Sequence, residues 1–168
     1  HPSSLKSLLE EKTSRLNAAL PQLISMAESK EKPEIDVLFG RGGLRTILLD
    51  EIAVGKTMHV MQSSENVEAK AGSFLEISRT KRAKARIRMK ILYSGKDIEY
   101  AKRVLRYRFT EVRVLPGEDF KATIDVYGDR TVIIFGENPA IVRIRDKETA
   151  KRFLSFFEAS WRKGRRIK

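Results

Sequence analysis

Residues 110–161 read TEVRVLPGEDFKATIDVYGDRTVIIFGENPAIVRIRDKETAKRFLSFFEASW and contain three short β-rich segments in close succession. These segments are 123–127, 130–135 and 140–144, and Gly128-Asp129 between the first two is typical of a tight hairpin turn. Apolar residues then recur at helical spacing, which predicts an amphipathic helix. The apolar stripe of that helix comprises Ala150, Phe153, Leu154, Phe157 and Trp161. The region therefore predicts antiparallel strands followed by a helix that packs on them.

Strand-like and helix-like segments alternate upstream of this region. Four strands are predicted at 35–39, 57–62, 85–93 and 111–115, and three helices at 44–53, 66–78 and 96–107. Strands that are separated by helices need crossover connections and pair in parallel, whereas hairpins pair antiparallel. The sequence therefore predicts an α/β fold, a mixed sheet flanked by helices.

A Leu-rich segment opens the chain. Residues 4–29 show helical spacing of leucines, and Pro21 is expected to kink or divide the helix. The leucines of the stripe are Leu5, Leu9, Leu16, Leu20 and Leu23. Because such a stripe is too apolar to leave in water, we expect it to pack against a second protomer or back onto its own domain, with the dimer preferred. Residues 1–30 are thus predicted to form a linker and dimerisation helix that precedes a main domain at 31–168.

The order of these elements resembles that in the C-terminal effector domain of TrmB-type transcriptional regulators. The local sequence also resembles that domain, in the segment YGDRTVIIFGENPAIVRI followed by ETAKRFLSFFEASW. These regulators are largely archaeal and often sugar-responsive. The resemblance implies a phospholipase D-like fold, a homodimer and a small-molecule effector. It also implies a winged helix-turn-helix upstream of the Leu-rich segment, through which the regulator would bind DNA.

The motif that gives phospholipase D enzymes their activity is degenerate in this chain. In the catalytic family the equivalent hairpin carries His-x-Lys-x-x-x-x-Asp, and aligning Asp129 with the motif Asp places Ala122 and Ile124 where the His and Lys belong. His59 cannot head a second copy, because Met61 stands where that copy would need its Lys. The resemblance therefore implies a domain with no catalytic residues and no metal or other cofactor. A phospholipase D-like phosphodiesterase or nuclease is the alternative.

Composition narrows the function further. The chain has no cysteine, which excludes thiol catalysis, disulfides and Cys-ligated zinc. Lys and Arg number 34 against 22 Asp and Glu, a formal net charge of +12. The basic residues cluster at 79–90, 102–108 and 162–168. This charge favours polyanion binding, as in a basic nucleic-acid-binding module without an effector, but a generally basic solvated surface explains it equally well.

Gly40-Arg41-Gly42-Gly43 lies between a predicted strand and a predicted helix, where backbone N–H groups can approach an anion or a hydroxyl-rich ligand. A simple tight turn is the alternative interpretation. Because ligands of open α/β sheets bind beyond the carboxyl ends of parallel strands, we predict an effector site at that edge. Its residues are Arg41, Gly42, Gly43, Gln62, Ser63, Ser64, Tyr93, Ser94, Asp125 and Tyr127. Polar side chains beside an aromatic face suit a sugar or a phosphorylated metabolite.

The sequence thus predicts an effector-binding and dimerisation domain of a DNA-binding transcriptional regulator. No apolar segment approaches the roughly 20 residues that a membrane-spanning helix requires, and no signal peptide is visible. We therefore expect a cytoplasmic protein with no membrane partner.

Overall fold

The computed structural model describes residues 32–62, 71–95, 98–117, 121–136 and 138–167. Within these ranges the chain forms eight strands and four helices. In chain order they are β1 (Glu34–Phe39), α1 (Gly40–Val54), β2 (Met58–Gln62), α2 (Ser73–Lys84), β3 (Met89–Ser94), α3 (Ile98–Leu105), β4 (Thr110–Leu115), β5 (Thr123–Tyr127), β6 (Arg130–Phe135), β7 (Ala140–Arg145), α4 (Lys147–Lys163) and β8 (Arg165–Arg166).

All eight strands form one mixed sheet in the order β1-β7-β6-β5-β2-β3-β4-β8. The strands β2, β3 and β4 are parallel to one another, and every other neighbouring pair is antiparallel. Gly128, at φ 59°, turns the chain between β5 and β6, a backbone conformation that glycine adopts without steric cost. The predicted fold class is confirmed, because helices connect the parallel strands and tight turns connect β5, β6 and β7.

Two apolar layers hold the helices to the sheet. On one face, Leu44 and Ile47 of α1 and Val104 of α3 pack on sheet residues such as Val60 and Ile91. On the other face, α4 buries two aromatic side chains against the sheet. This second cluster consists of Phe157 and Trp161 with Met61 and Leu92. The sheet is therefore the middle layer of three.

The β1 edge of the sheet is less covered than its centre. On the α4 side of β1, the side chains of Ile35, Val37 and Phe39 are 62%, 55% and 66% exposed. Alternate residues of the same strand face α1, and there Asp36 is bonded to Arg143. In the described part of the chain, one face of β1 is thus an apolar surface open to solvent.

Three predicted element boundaries are wrong. The first helix begins at Gly40 rather than at residue 44, so the glycine run is its first turn and not a loop. The second helix ends at Lys84 rather than at residue 78, because buried Arg79 and Arg82 extend its inward face, whereas residues 66–70 of the predicted helix lie outside the described residues. The third strand begins at Met89 rather than at residue 85, since Arg86 adopts a left-handed conformation that no strand contains.

The Leu-rich helix predicted for residues 1–30 lies outside the described residues. Its dimerisation stripe stays a prediction, as does the domain boundary that follows it. Among the helices that the structure describes, none has both the length and the apolar composition needed to cross a bilayer.

Candidate functional site

The carboxyl ends of β1 and β2 point to the same edge of the sheet, but β7, β6 and β5 lie between them. Four strand spacings separate the two ends by roughly 19 Å. Arg41 and Gly42, in the first turn of α1, are exposed. Gly43 is buried, and a Cβ there would lie 2.9 Å from the Cβ of Leu38. Gly43 therefore lets α1 approach β1 closely, which is a packing role.

Other predicted ligand residues lie at the ends of β2 and β3. Gln62 is opposite Tyr93 in the parallel register. Tyr93 and Ser94 are both 0% exposed, and the ring of Tyr93 packs edge-on against Tyr100 at 5.4 Å. Ser63 and Ser64 lie outside the described residues. In this structure Tyr93 and Ser94 present no surface to solvent, and their part in ligand binding stays a prediction.

The structure places Asp125 and Tyr127 together on β5, below α1. The Tyr127 hydroxyl donates to Oδ2 of Asp50 at 2.8 Å, whereas Asp125 lines a cavity between α1, α2 and the sheet. Both side chains are buried. These two predicted residues therefore belong to the interior under α1 and not to the outer edge.

The cavity has a volume of about 60 Å³, room for about two water molecules at ~30 Å³ each. Its wall is mostly aliphatic, with residues such as Leu44, Ile47, Val60 and Ile91. Six polar side chains interrupt that wall. They are Glu51, Ser78, Arg79, Arg82, Thr123 and Asp125. A small apolar cavity with a few converging polar groups has the form of a ligand pocket.

Two carboxyl groups meet in this cavity. Glu51 of α1 is 3% exposed and Asp125 of β5 is 6% exposed, and they share a hydrogen bond. Burial is the main reason why the pKa of Glu51 is raised well above its usual value and that of Asp125 to about 7. The second oxygen of Asp125, Oδ1, has no hydrogen-bond partner among the described residues. This acid pair therefore holds a proton near neutral pH and keeps one acceptor unfilled.

Arg82 is a buried basic residue that lines the same cavity. Its guanidinium is 2% exposed and donates to the carbonyl oxygens of Ile87, Arg108 and Phe109 and to the Thr110 hydroxyl. Burial, followed by the charge of Arg79, lowers the pKa of Arg82 to about 10. Its Nε has no hydrogen-bond partner among the described residues. The cavity is thus lined by Arg82, which has an unpaired donor, and by Asp125, which has an unpaired acceptor.

Sequence reasoning missed Glu51, Arg79 and Arg82. For Glu51 a signal exists in the helical spacing: Glu51 follows Leu44 by seven residues and Ile47 by four, so it lies on the apolar face of α1. A charged residue on such a face is buried and needs a partner from elsewhere in the fold. The spacing does not reveal that the partner is Asp125.

A second carboxylate site lies beside the acid pair on the same face of the sheet. We call it the Asp50 cluster, and it comprises Asp36, Asp50, Tyr127, Arg130 and Arg143. Arg143 donates to Oδ2 of Asp36 at 3.0 and 2.7 Å, and its Nη1 lies 3.4 Å from Asp50. Nε of Arg130 lies 3.0 Å from Asp50. These carboxylates are paired with arginines, and the hydrogen bond from Arg143 is the main cause of the lowered pKa of Asp36.

The positions of the phosphodiesterase motif have structural roles here. Ile124, where the motif Lys belongs, packs against the cluster of Met61, Leu92, Phe157 and Trp161. Asp129 forms a salt bridge with its neighbour Arg130, at 2.6 Å.

His59 lies on the α4 face of β2 and is partly buried. Its ring packs edge-on against Phe157 at 5.1 Å, and its Nε2 is 3.9 Å from Glu158. Burial, and secondly the charge of Lys90, lowers its pKa. Neutral His59 is therefore a packed side chain, in contact with α4.

The fold is similar to those of solved structures that include an archaeal chromatin protein and a phospholipase D family member. One is "TrmBL2, an archaeal chromatin protein", with a TM-score of 0.60 and 16% identity, covering 99% of this chain and 67% of that one. Another is Nuc of Salmonella typhimurium, a phospholipase D family member, with a TM-score of 0.61 and 14% identity, covering 82% of this chain and 99% of that one. NucT of Helicobacter pylori matches with a TM-score of 0.57 and 14% identity, covering 81% of this chain and all of NucT.

No protein-family model matches the chain, and no curated protein sequence is significantly similar to it. The solved structures nevertheless establish a phospholipase D-like fold, one that TrmBL2 shares. The predicted resemblance is confirmed at the level of the fold.

Proposed function

We propose that this chain is the non-catalytic, effector-sensing and dimerisation part of a DNA-binding transcriptional regulator that acts in the cytoplasm. The fold supports this proposal, because a chromatin protein that binds DNA shares it. The residues at the motif positions favour the regulator over the nuclease. Ala122 and Ile124 offer neither a nucleophile nor a cation to a phosphodiester.

The observation that carries the effector role is the pair of unfilled groups in the cavity under α1. Asp125 Oδ1 can accept a hydrogen bond and Arg82 Nε can donate one, and leaving such groups unpaired in the interior costs free energy. Ligand hydroxyls suit such groups, since each hydroxyl can both donate and accept a hydrogen bond. We therefore assign the effector to the hydroxyl-rich class, a sugar or a sugar phosphate.

A sugar needs more room than the cavity of about 60 Å³ provides. Binding would therefore separate α1 from α2 and favour a second arrangement of the domain. A ligand that binds one arrangement better than another shifts the population toward it. In a homodimer this shift would be transmitted to the upstream winged helices, which is the coupling that a regulator requires.

Calorimetry with a panel of sugars and sugar phosphates tests the effector site. We expect Asp125→Asn to weaken binding about tenfold, since a charge-assisted hydrogen bond contributes on the order of 1.5 kcal/mol. Gly42→Val at the sheet edge is the matched control and should bind as the unchanged chain does. A ligand sensitive to Gly42→Val and indifferent to Asp125→Asn would move the site to the edge predicted from sequence. A panel without a binding compound would contradict the effector role.

A hydrolysis assay separates this function from that of a nuclease. We expect no metal-independent turnover of bis(p-nitrophenyl) phosphate or of nucleic acid. Turnover that Asp129→Ala or His59→Ala abolishes would establish the phosphodiesterase instead.

Light scattering tests the dimer. The stripe that includes Leu9, Leu16 and Leu23 predicts a dimer at micromolar concentration, and Leu16→Glu should shift it to the monomer. A monomeric chain whose mass does not change with Leu16→Glu would contradict the dimer.

A further inference from the structure

Exposed basic side chains line the edge of the sheet where the parallel strands begin. We call this surface the basic edge. It consists of Lys56, Lys84, Arg86, Arg88, Arg106 and Arg108. We propose that the basic edge binds the phosphate backbone of duplex DNA, independently of base sequence. The choice of DNA rests on the proposed function, whereas the affinity for phosphate rests on the surface itself.

The strand register brings these cations to the same edge of the sheet. Met58, Met89 and Thr110 are aligned across β2, β3 and β4. Residues that precede the three strands therefore form a row, and the amide of Met58 donates to the carbonyl of Arg88 at 2.9 Å. At the usual strand spacing of ~4.8 Å, Lys56, Arg88 and Arg108 span about 10 Å. Such a row can contact several phosphates at once.

The backbone that carries the row is held in place from within. Buried Arg82 donates to the carbonyls of Ile87, Arg108 and Phe109. Arg86 and Phe109 adopt left-handed conformations, with φ of 57° and 59°, which side chains other than glycine rarely do. Tertiary hydrogen bonds thus fix segments that carry cations. A preorganised surface loses less entropy when a ligand binds.

Nearby helix ends explain only part of the charge. The helices α1, α2 and α3 end at this edge, and cations favour helix carboxyl ends, which accounts for Lys84 at the end of α2. Arg88 and Arg108 lie three or more residues beyond the nearest helix end, where this stabilisation has fallen off. Acidic residues near this edge include Asp129, which is paired with Arg130, Asp146, whose amide donates to the carbonyl of Asp129, and exposed Glu111, which lies opposite Lys90. The basic edge therefore keeps a net positive charge.

Phe109 indicates which form of nucleic acid fits. It is 37% exposed, and the guanidinium of Arg108 lies 5.4 Å from its ring centre. Proteins that bind single strands use a series of aromatic side chains on which successive bases stack. Among the described residues along this edge, only Phe109 has a large aromatic side chain that is more than a third exposed. The surface therefore suits contacts between basic side chains and phosphates more than base stacking. A duplex presents its phosphates along its outside, so it fits this surface better than a single strand does.

Fluorescence anisotropy with a short labelled DNA duplex, over a series of salt concentrations, tests the proposal. The test variant combines Lys56→Gln, Arg88→Gln, Arg106→Gln and Arg108→Gln. We expect the slope of log K against log salt to become shallower by about 3.6, since each lost phosphate contact contributes about 0.9. Affinity at about 0.1 M salt should fall at least tenfold. A second variant with Arg88→Lys, Arg106→Lys and Arg108→Lys retains the charge and should retain the slope.

The matched control removes the same charge from the opposite edge. It combines Arg41→Gln, Arg45→Gln, Arg162→Gln and Lys163→Gln, all exposed in the structure. We expect this control to keep the slope of the unchanged chain. Equal losses in the two Gln variants, or none in the test variant, would overturn the proposal. A duplex RNA that competes more strongly than the DNA would overturn the choice of DNA. Effector binding, measured by calorimetry on the same variants, should not change. The proposal of DNA binding can therefore be contradicted without contradicting the proposed effector role.

Discussion

Asp50 and Glu51 are neighbours in α1, yet their carboxyl groups lie in opposite environments. Asp50 faces Arg130 and Arg143 and accepts from the Tyr127 hydroxyl. Glu51 faces Asp125, and burial raises the pKa of both acids. The Asp50 cluster pairs each carboxylate with a cation, whereas the acid pair places two acids together. The first arrangement holds α1 to the sheet, and the second leaves Asp125 Oδ1 without a hydrogen-bond partner among the described residues.

The comparison also predicts opposite responses to pH. Asp36 of the Asp50 cluster has a lowered pKa, so its contribution to stability is present above about pH 4 and is lost as pH falls. Asp125 has a raised pKa of about 7, so its contribution is present below pH 3.8 and is lost as pH rises through about 7. A structural ion pair and a perturbed buried acid can thus be told apart by the sign of the slope.

The largest effect is expected from Arg143→Leu. Arg143 is 14% exposed and contacts both Asp36 and Asp50, so its loss leaves two carboxylates short of a cation. We expect the free energy of unfolding, measured in urea, to fall by about 3 kcal/mol. The control is Arg145→Leu, because Arg145 is 36% exposed and forms surface pairs with Glu34 and Asp36. It should cost less than ~1 kcal/mol. Equal losses would show that the Asp50 cluster does not hold α1.

A smaller effect that depends on pH is expected from Asp125→Asn. Between about pH 4 and pH 7 the unfolded chain releases a proton that folded Asp125 retains, so the stability of the unchanged chain declines. Asparagine removes that decline, so between about pH 4 and pH 8 the stability of the variant should fall less than that of the unchanged chain. The measurement is urea unfolding at a series of pH values. A profile parallel to that of the unchanged chain would contradict the raised pKa of Asp125.

The smallest effect is expected from Tyr127→Phe, which removes one hydrogen bond from Asp50 while Arg130 and Arg143 remain. We expect a loss of about 1 kcal/mol in the free energy of unfolding. Thr131→Val is the matched control, because its hydroxyl is buried with no hydrogen-bond partner among the described residues. Its removal should be neutral or stabilising. If both changes cost the same, the Tyr127 hydroxyl is not specifically bonded to Asp50.

Local patterns predicted much of the fold. The hairpin at Gly128-Asp129 and the strands β5 and β6 match the predicted ranges, because turn chemistry and β-branched residues act between near neighbours in the chain. The stripe of α4 was readable for the same reason, since Phe157 and Trp161 are one turn apart. Boundaries failed where tertiary contacts override propensity, as at Gly43, whose missing side chain serves close packing on Leu38.

The sequence by itself determined the class of the fold, the degenerate motif at Ala122 and Ile124, and the basic composition. These properties follow from residue type and short-range spacing. Only the tertiary structure decided that Asp50 would meet Arg143 and that Glu51 would meet Asp125, because those partners lie more than 70 residues away in the chain. A carboxyl group's pKa depends on burial and on the charges nearby, and both arise when the strand order brings β5 under α1.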